Sequence, residues 1–127
     1  MAKGKRKETQ KEARPVLDRA ERRENALRPS RHLGYDRDAL AVYLMSREAY
    51  EIAERLLRRA IWLNPFESRF RAHLAWCLHK QGRHAVAAEF LKGVLPSEMD
   101  EEFREIAQLV GSKAARAKGV RDDPHDE

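Results

Sequence analysis

From Tyr35 to Val94 apolar residues recur at intervals of three and four, and nothing in this stretch alternates with the period of two that marks a strand. The pattern predicts a first helix over about 36–47, with Leu40, Ala41 and Leu44 on one face. A second follows over about 49–63 with Ile52, Ala53, Leu56, Leu57, Ala60 and Ile61, and it stops at Asn64-Pro65. Proline cannot continue a helix, and it biases the residue before it away from helical geometry. A third helix, about 68–80, ends at Gln81-Gly82, where glycine suits the left-handed position after a helix. A fourth, about 84–94, ends before Pro96. Ser97 with Asp100 three residues on has the form of a capping box with Asp in place of Glu, and it opens a fifth helix carrying Phe103, Ile106, Ala107, Leu109 and Val110. Beyond Gly111 the pattern fades, and residues 113–127 read as a flexible tail.

A shift of 34 residues lays the first helix pair on the second. Leu40 meets Leu74, Ala41 meets Ala75, Leu44 meets Leu78, Ala53 meets Ala87 and Leu57 meets Leu91. Arg37 meets Arg71, and Ile52 meets Val86 with its character kept. Two helices per unit at this period resemble the tetratricopeptide repeat (TPR) family. Its slots read Leu40-Ala41, Leu44, Ala53, Leu57, Ala60 and Pro65 in the first unit, and Leu74-Ala75, Leu78, Ala87, Leu91 and Val94 in the second. The departures are Arg37 and Arg71 at the early aromatic slot, Pro96 three residues ahead of its slot, and Gln108-Leu109 where a third copy needs Leu and a small residue. The resemblance covers about half of the chain. It implies an all-α, TPR-like hairpin repeat, an α-solenoid fragment, over 33–112: repeats at about 34–67 and 68–96, then a capping helix at 97–112.

Small residues have a mechanical role in such a hairpin. Helix axes approach to about 8–10 Å only where side chains are small, and the pairs Ala41 with Ala53 and Ala75 with Ala87 supply those places. About three units are normally needed to bury the shared apolar face, and this chain has two and a half. The shortfall predicts a partner, self-association, or an N-terminal helix laid over an open end.

Composition changes the picture at one end only. The 127 residues suffice for one small domain with tails. Lys and Arg outnumber Asp and Glu by 26 to 21, a net +5. Residues 1–32 carry eleven basic and five acidic side chains, a net +6, so the excess belongs wholly to this basic arm. Within it, 1–14 read as disordered and 15–28 as a helix, with Pro15 in its first turn and Val16, Leu17, Ala20, Ala26 and Leu27 as a thin stripe. Such a stripe firms up mainly on docking. Lys3, Lys5, Arg6, Lys7, Lys11 and Arg14 suit phosphate contact, or the acidic surface of a protein. No aromatic residue precedes Tyr35, so base stacking by the arm is not supported. No run approaches a membrane span, no apolar stretch follows the basic start as in a secretory leader, and one cysteine suits a reducing cytoplasm.

Candidate chemistry is thin. His73 and Cys77 share a helix face near His79 and His84, but a structural zinc site needs four ligands in close pairs. Packing or surface roles are expected for them, and no metal or other cofactor. The six glycines are scattered and form no phosphate loop, and Ser30, Ser46, Ser68, Ser97 and Ser112 lie in no nucleophile context. An enzyme is not expected.

The resemblance also implies a partner groove lined by the first helix of each pair. In this register it falls on Tyr35, Asp38, Val42, Met45 and Ser46, then Arg69, Ala72, Trp76, His79 and Lys80. Trp76 and Met45 offer apolar contact, while Arg69, His79 and Lys80 could meet carboxylates on a peptide. Trp76 could equally be covered by the arm or the capping helix. Val42 and Trp76 stand where some TPR co-chaperones carry the asparagines that clamp a C-terminal carboxylate, so that use is disfavoured. Trp62 and Phe66 are expected to pack on the next helix. The expected function is a non-enzymatic adaptor, scaffold or assembly factor that binds a helix or peptide of another protein. The alternative is an RNA-, DNA- or ribosome-associated protein held by the basic arm.

Overall fold

The computed structural model describes residues 18–94 and 100–119, and among these every regular element is an α-helix. The described residues form six helices in order: α1 Arg19–Leu27, α2 Tyr35–Ser46, α3 Tyr50–Leu63, α4 Ser68–Lys80, α5 His84–Leu91 and α6 Glu101–Gly119. Each of α2 to α6 packs on its neighbour in the chain. In addition α2 lies against α4, and α4 against α6, so these three form one layer with α3 and α5 behind them. The helix α1 rests on α3.

The close approaches fall where the small residues are. Ala41, Ala53, Ala75 and Ala87 are fully buried with Leu57, Leu74, Cys77 and Leu78, and α6 joins this core through Ile106 and Val110. At about 25 cal/mol per Å² of apolar surface removed from water, that continuity is the main force holding the hairpins together. Arg71 sits at the early aromatic slot of the second hairpin and donates from Nε to the carbonyl of Phe90 at 3.0 Å, tying α4 to the end of α5.

The two hairpin turns are copies of each other in backbone detail. In the first, the Arg47, Glu48 and Ala49 amides donate to the carbonyls of Leu44, Met45 and Leu44. In the second, Gln81, Gly82 and Arg83 donate to Leu78, His79 and Leu78, the same pattern 34 residues on. The pivot is left-handed in both, with φ 64° at Glu48 and 83° at Gly82. Glycine takes this conformation freely, and a residue with a Cβ does so at a cost of about 1 kcal/mol. The second turn announces itself in the sequence. The first does not.

Gly34 leads into α2 with φ 97°, and a Cβ there would stand 2.7 Å from the Phe70 ring. The bare backbone at Gly34 thus approaches both the fully buried Phe70 ring and the Ala60 methyl, with Tyr35 edge-on to Phe70 at 5.1 Å. Asn64, also buried, donates from Nδ2 to the Leu33 carbonyl and accepts from the Phe66 amide, which fastens the end of α3 to the segment before α2.

Both terminal helices differ from expectation. The helix expected over 15–28 begins at Arg19. Asp18 caps it by accepting from the Glu21 amide, while Glu21 reaches back to the Asp18 amide. Its Ala20, Ala26 and Leu27 are exposed, and Val16 and Leu17 lie outside the described residues. The capping helix starts at Glu101, where the Asp100 carboxylate accepts from the Phe103 amide at 3.0 Å; Ser97 lies outside the described residues. It also runs on to Gly119, through the region read as tail. Gly111 does not turn left-handed and stands in open space, and Lys113, Ala114, Ala115 and Arg116 are good helix formers that offset its cost of about 1 kcal/mol.

Candidate functional site

The layer formed by α2, α4 and α6 borders an open cavity of about 450 Å³. The helix α2 supplies Val42, Met45 and Ser46, α4 supplies His73, Trp76 and Lys80, and α6 supplies Glu102, Glu105, Ile106 and Leu109, with Tyr50 at one end. Helical spacing explains the set: Val42 and Met45 are three apart, Trp76 and Lys80 four apart, and Glu102, Glu105 and Leu109 step along one face of α6. The floor is apolar, Leu109 is 53% exposed, and the rim carries Lys80 on one side and two glutamates on the other.

Trp76 is half-buried and held from two sides. The His79 ring stacks on it with centroids 5.1 Å apart and planes at 26°, and Lys80 Nζ lies 5.5 Å from its centroid. Nδ1 of His79 is 3.2 Å from Nδ1 of His84 across the hairpin, a hydrogen bond that requires one of the two nitrogens to be an unprotonated acceptor. Burial, with His84, Lys80 and Lys113 nearby, lowers the His79 pKa. His79 therefore braces the tryptophan and does not line the cavity.

Two residues assigned to the groove turn inward, which corrects the expectation for them. Asp38 is buried and pairs with His73 of α4, its Oδ1 accepting from His73 Nδ1 at 2.6 Å. Ala72, one repeat further on, is fully buried. This slot sits between successive first helices and not at the mouth. A carboxylate is tolerated there because it is paired and hydrogen-bonded. His73 in turn stands edge-on to Phe103 of α6, at 6.0 Å between centroids. Arg69 is exposed in the first turn of α4 and lies off the cavity, its amide donating to Glu67, whose other oxygen accepts from the Tyr35 hydroxyl. Lys3, Lys5, Arg6, Lys7, Lys11 and Arg14 lie outside the described residues.

In the sequence α6 reads as a capping helix with Ile106 and Leu109 among its apolar residues, and none of Glu102, Glu105, Ile106 and Leu109 is assigned to the groove. The available signal was the three- and four-residue spacing of these positions beside the buried Phe103, Ile106 and Val110.

Cys77 is buried, its thiol donating to the Tyr50 carbonyl at 3.2 Å, and burial pushes its pKa up to about 11. It stays a protonated thiol at neutral pH, the unreactive form. Among the described residues no three His, Cys, Asp or Glu side chains converge as a metal ion would need, and no helix is long and apolar enough to cross a membrane.

The other notable cluster lies where α1 meets the first hairpin. Glu24 of α1 accepts from Arg37 at 2.6 Å and from Arg59 at 3.2 Å, and the Arg37 bond leads in holding its pKa below the usual glutamate range. Trp62 and Phe66, expected to pack on the next helix, are 42% and 46% exposed. Arg28 lies 4.1 Å from the Trp62 centroid and Arg31 4.2 Å from that of Phe66. No protein-family model, curated protein or solved structure matches the chain.

Proposed function

We propose that this chain is a TPR-like, non-enzymatic protein-binding module, an adaptor or assembly factor of the cytoplasm, that captures a helix or peptide of another protein in the cavity between α2, α4 and α6. The observation that carries this reading is the apolar floor of Val42, Met45, Trp76, Ile106 and Leu109 opening to solvent between charged rims. Concave apolar sites with a few polar groups at the edge are where binding energy concentrates, and Trp is a frequent anchor. The rims specify the partner further. A segment that fits brings two or three apolar side chains, a basic residue towards Glu102 and Glu105, and an acidic one towards Lys80. The matching turn geometry 34 residues apart supports the repeat.

The test is affinity capture from source-cell lysate with the full-length chain, with and without nuclease, followed by calorimetry on the protein retained. Trp76→Ala is expected to weaken binding by about 2 kcal/mol or more, roughly thirty-fold, with the helical melting profile kept. Binding should survive high salt, since apolar anchors are not screened. If the retained protein binds Trp76→Ala as tightly as wild type, the groove reading is wrong.

A further inference from the structure

The arm lacks aromatic residues, but the fold brings two to its root. Residues 28–33 run alongside the end of α3 and are pinned there. The Ser30 amide donates to the Leu63 carbonyl at 2.9 Å, and Asn64 donates to the Leu33 carbonyl at 3.0 Å. This pairing accompanies two arginine–aromatic contacts from the same segment, Arg28 over Trp62 and, three residues on, Arg31 over Phe66. Arg28 is fixed further by donating from Nε to the Trp62 carbonyl at 2.6 Å. Arg59 lies 5.1 Å from the Trp62 centroid, and the exposed Arg55 precedes it by one turn on the same face of α3.

We infer that Trp62 and Phe66, with Arg28, Arg31 and Arg59, form a binding surface for a single-stranded nucleic acid. A single strand alternates flat bases with anionic phosphates, and this surface alternates flat rings with guanidinium groups. Both rings remain two-fifths or more exposed, so neither is consumed by the arginine lying on it. A guanidinium stacked on a ring keeps N–H donors at its edge, and Arg28 commits one of five to Trp62. Bases stack on aromatic rings whatever their sequence, and arginine adds both stacking and phosphate contact. An acidic peptide would satisfy the charge but leave the rings without flat partners. Residues 1–17, which lie outside the described residues, carry six Lys or Arg against two acids. The surface is distinct from the groove and does not depend on it.

The test uses the full-length chain and fluorescence anisotropy with labelled oligo(U), oligo(dT), a duplex of equal length, heparin and poly-glutamate. The single strands should bind more tightly than the duplex. Trp62→Leu and Phe66→Leu, which keep the backbone bonds, should each weaken single-strand binding by about ten-fold and leave heparin affinity unchanged. Trp62 is the one tryptophan left in a Trp76→Phe background. Its emission should be quenched by oligo(U) or oligo(dT) and not by heparin, a readout that needs no change at the surface itself. Equal preference for oligo(U) and oligo(dT) is a supporting outcome, and preference for oligo(U) narrows the ligand to RNA. The inference is overturned if no oligonucleotide binds, if binding is indifferent to both rings and leaves Trp62 unquenched, or if the rings matter for poly-glutamate instead.

Discussion

The two ends of the helical stack are closed by opposite means. At the C-terminal end α6 buries Phe103, Ile106 and Val110 and becomes part of the core. At the N-terminal end α1 has no buried residue, and its ties to the fold include the pair of arginines on Glu24 and the segment pinned along α3. Apolar burial is insensitive to salt and lost only with the whole fold. A partly exposed ion pair is worth about 1 kcal/mol or less and weakens with ionic strength. The C-terminal cap is therefore expected to open only with the whole fold, and the N-terminal one to open while the remainder stays folded.

Substitutions should separate the two. Phe103→Ala has the largest expected effect: about 3 kcal/mol of global stability, seen as a fall in the single melting transition, because it empties core volume and removes the ring against His73. Asp100→Ala, which removes the cap of α6, should cost about 1 kcal/mol in the same measurement. Glu24→Gln should leave the melting transition nearly unchanged, yet accelerate amide exchange across α1, and 1 M salt should do the same to wild type. If Glu24→Gln lowers the global transition as much as Phe103→Ala, the ends are not different in kind.

Acid should loosen them in sequence. His79 has a lowered pKa, so the unfolded chain binds its proton more readily, and stability from the neutral ring is present above pH 6.5 and lost as pH falls below it. Lys113 of α6 is among the charges that oppose protonation there, so the C-terminal half feels this step. Glu24 is also lowered, so its contribution persists to lower pH and disappears only below the ordinary glutamate value of 4.5. Amide exchange measured at pH 7, 5.5 and 3.5 should show α5 and α6 protected less at the second pH, and α1 only at the third. This is the smallest effect of the set, and loss of α1 protection first would reverse the assignment.

The all-α hairpin architecture was legible because it rests on short-range regularities: the recurrence of Leu and Ala, the breaks at Asn64-Pro65 and Gln81-Gly82. What escaped depends on pairings distant in sequence. Nothing near Glu24 marks Arg59, 35 residues on, as its partner, and nothing near Asp38 marks His73. Periodicity puts Asp38 on the face of α2 that carries Val42 and Met45, and only the neighbouring helix decides that its carboxylate turns inward. Trp62 and Phe66 were read by hydrophobicity alone, which cannot foresee that arginines from the preceding segment would lie on them. The end of α6 was misread for another reason. Beyond Gly111 the apolar spacing fades, and it is the helix propensity of Lys113, Ala114, Ala115 and Arg116, which that spacing does not register, that carries the helix on.

Because α6 is at once a wall of the groove and a piece of the core, occupancy and folding are linked functions of the same helix. A segment seated against Ile106 and Leu109 binds the folded chain and not the unfolded one, so it raises the melting temperature by mass action, by about 2.7 kcal/mol of added stability at a hundred times its dissociation constant. A thermal-shift screen of peptides would thus find groove ligands with no knowledge of what they do. A ligand that contacted α1 alone, the helix without a buried residue, would leave that temperature nearly still.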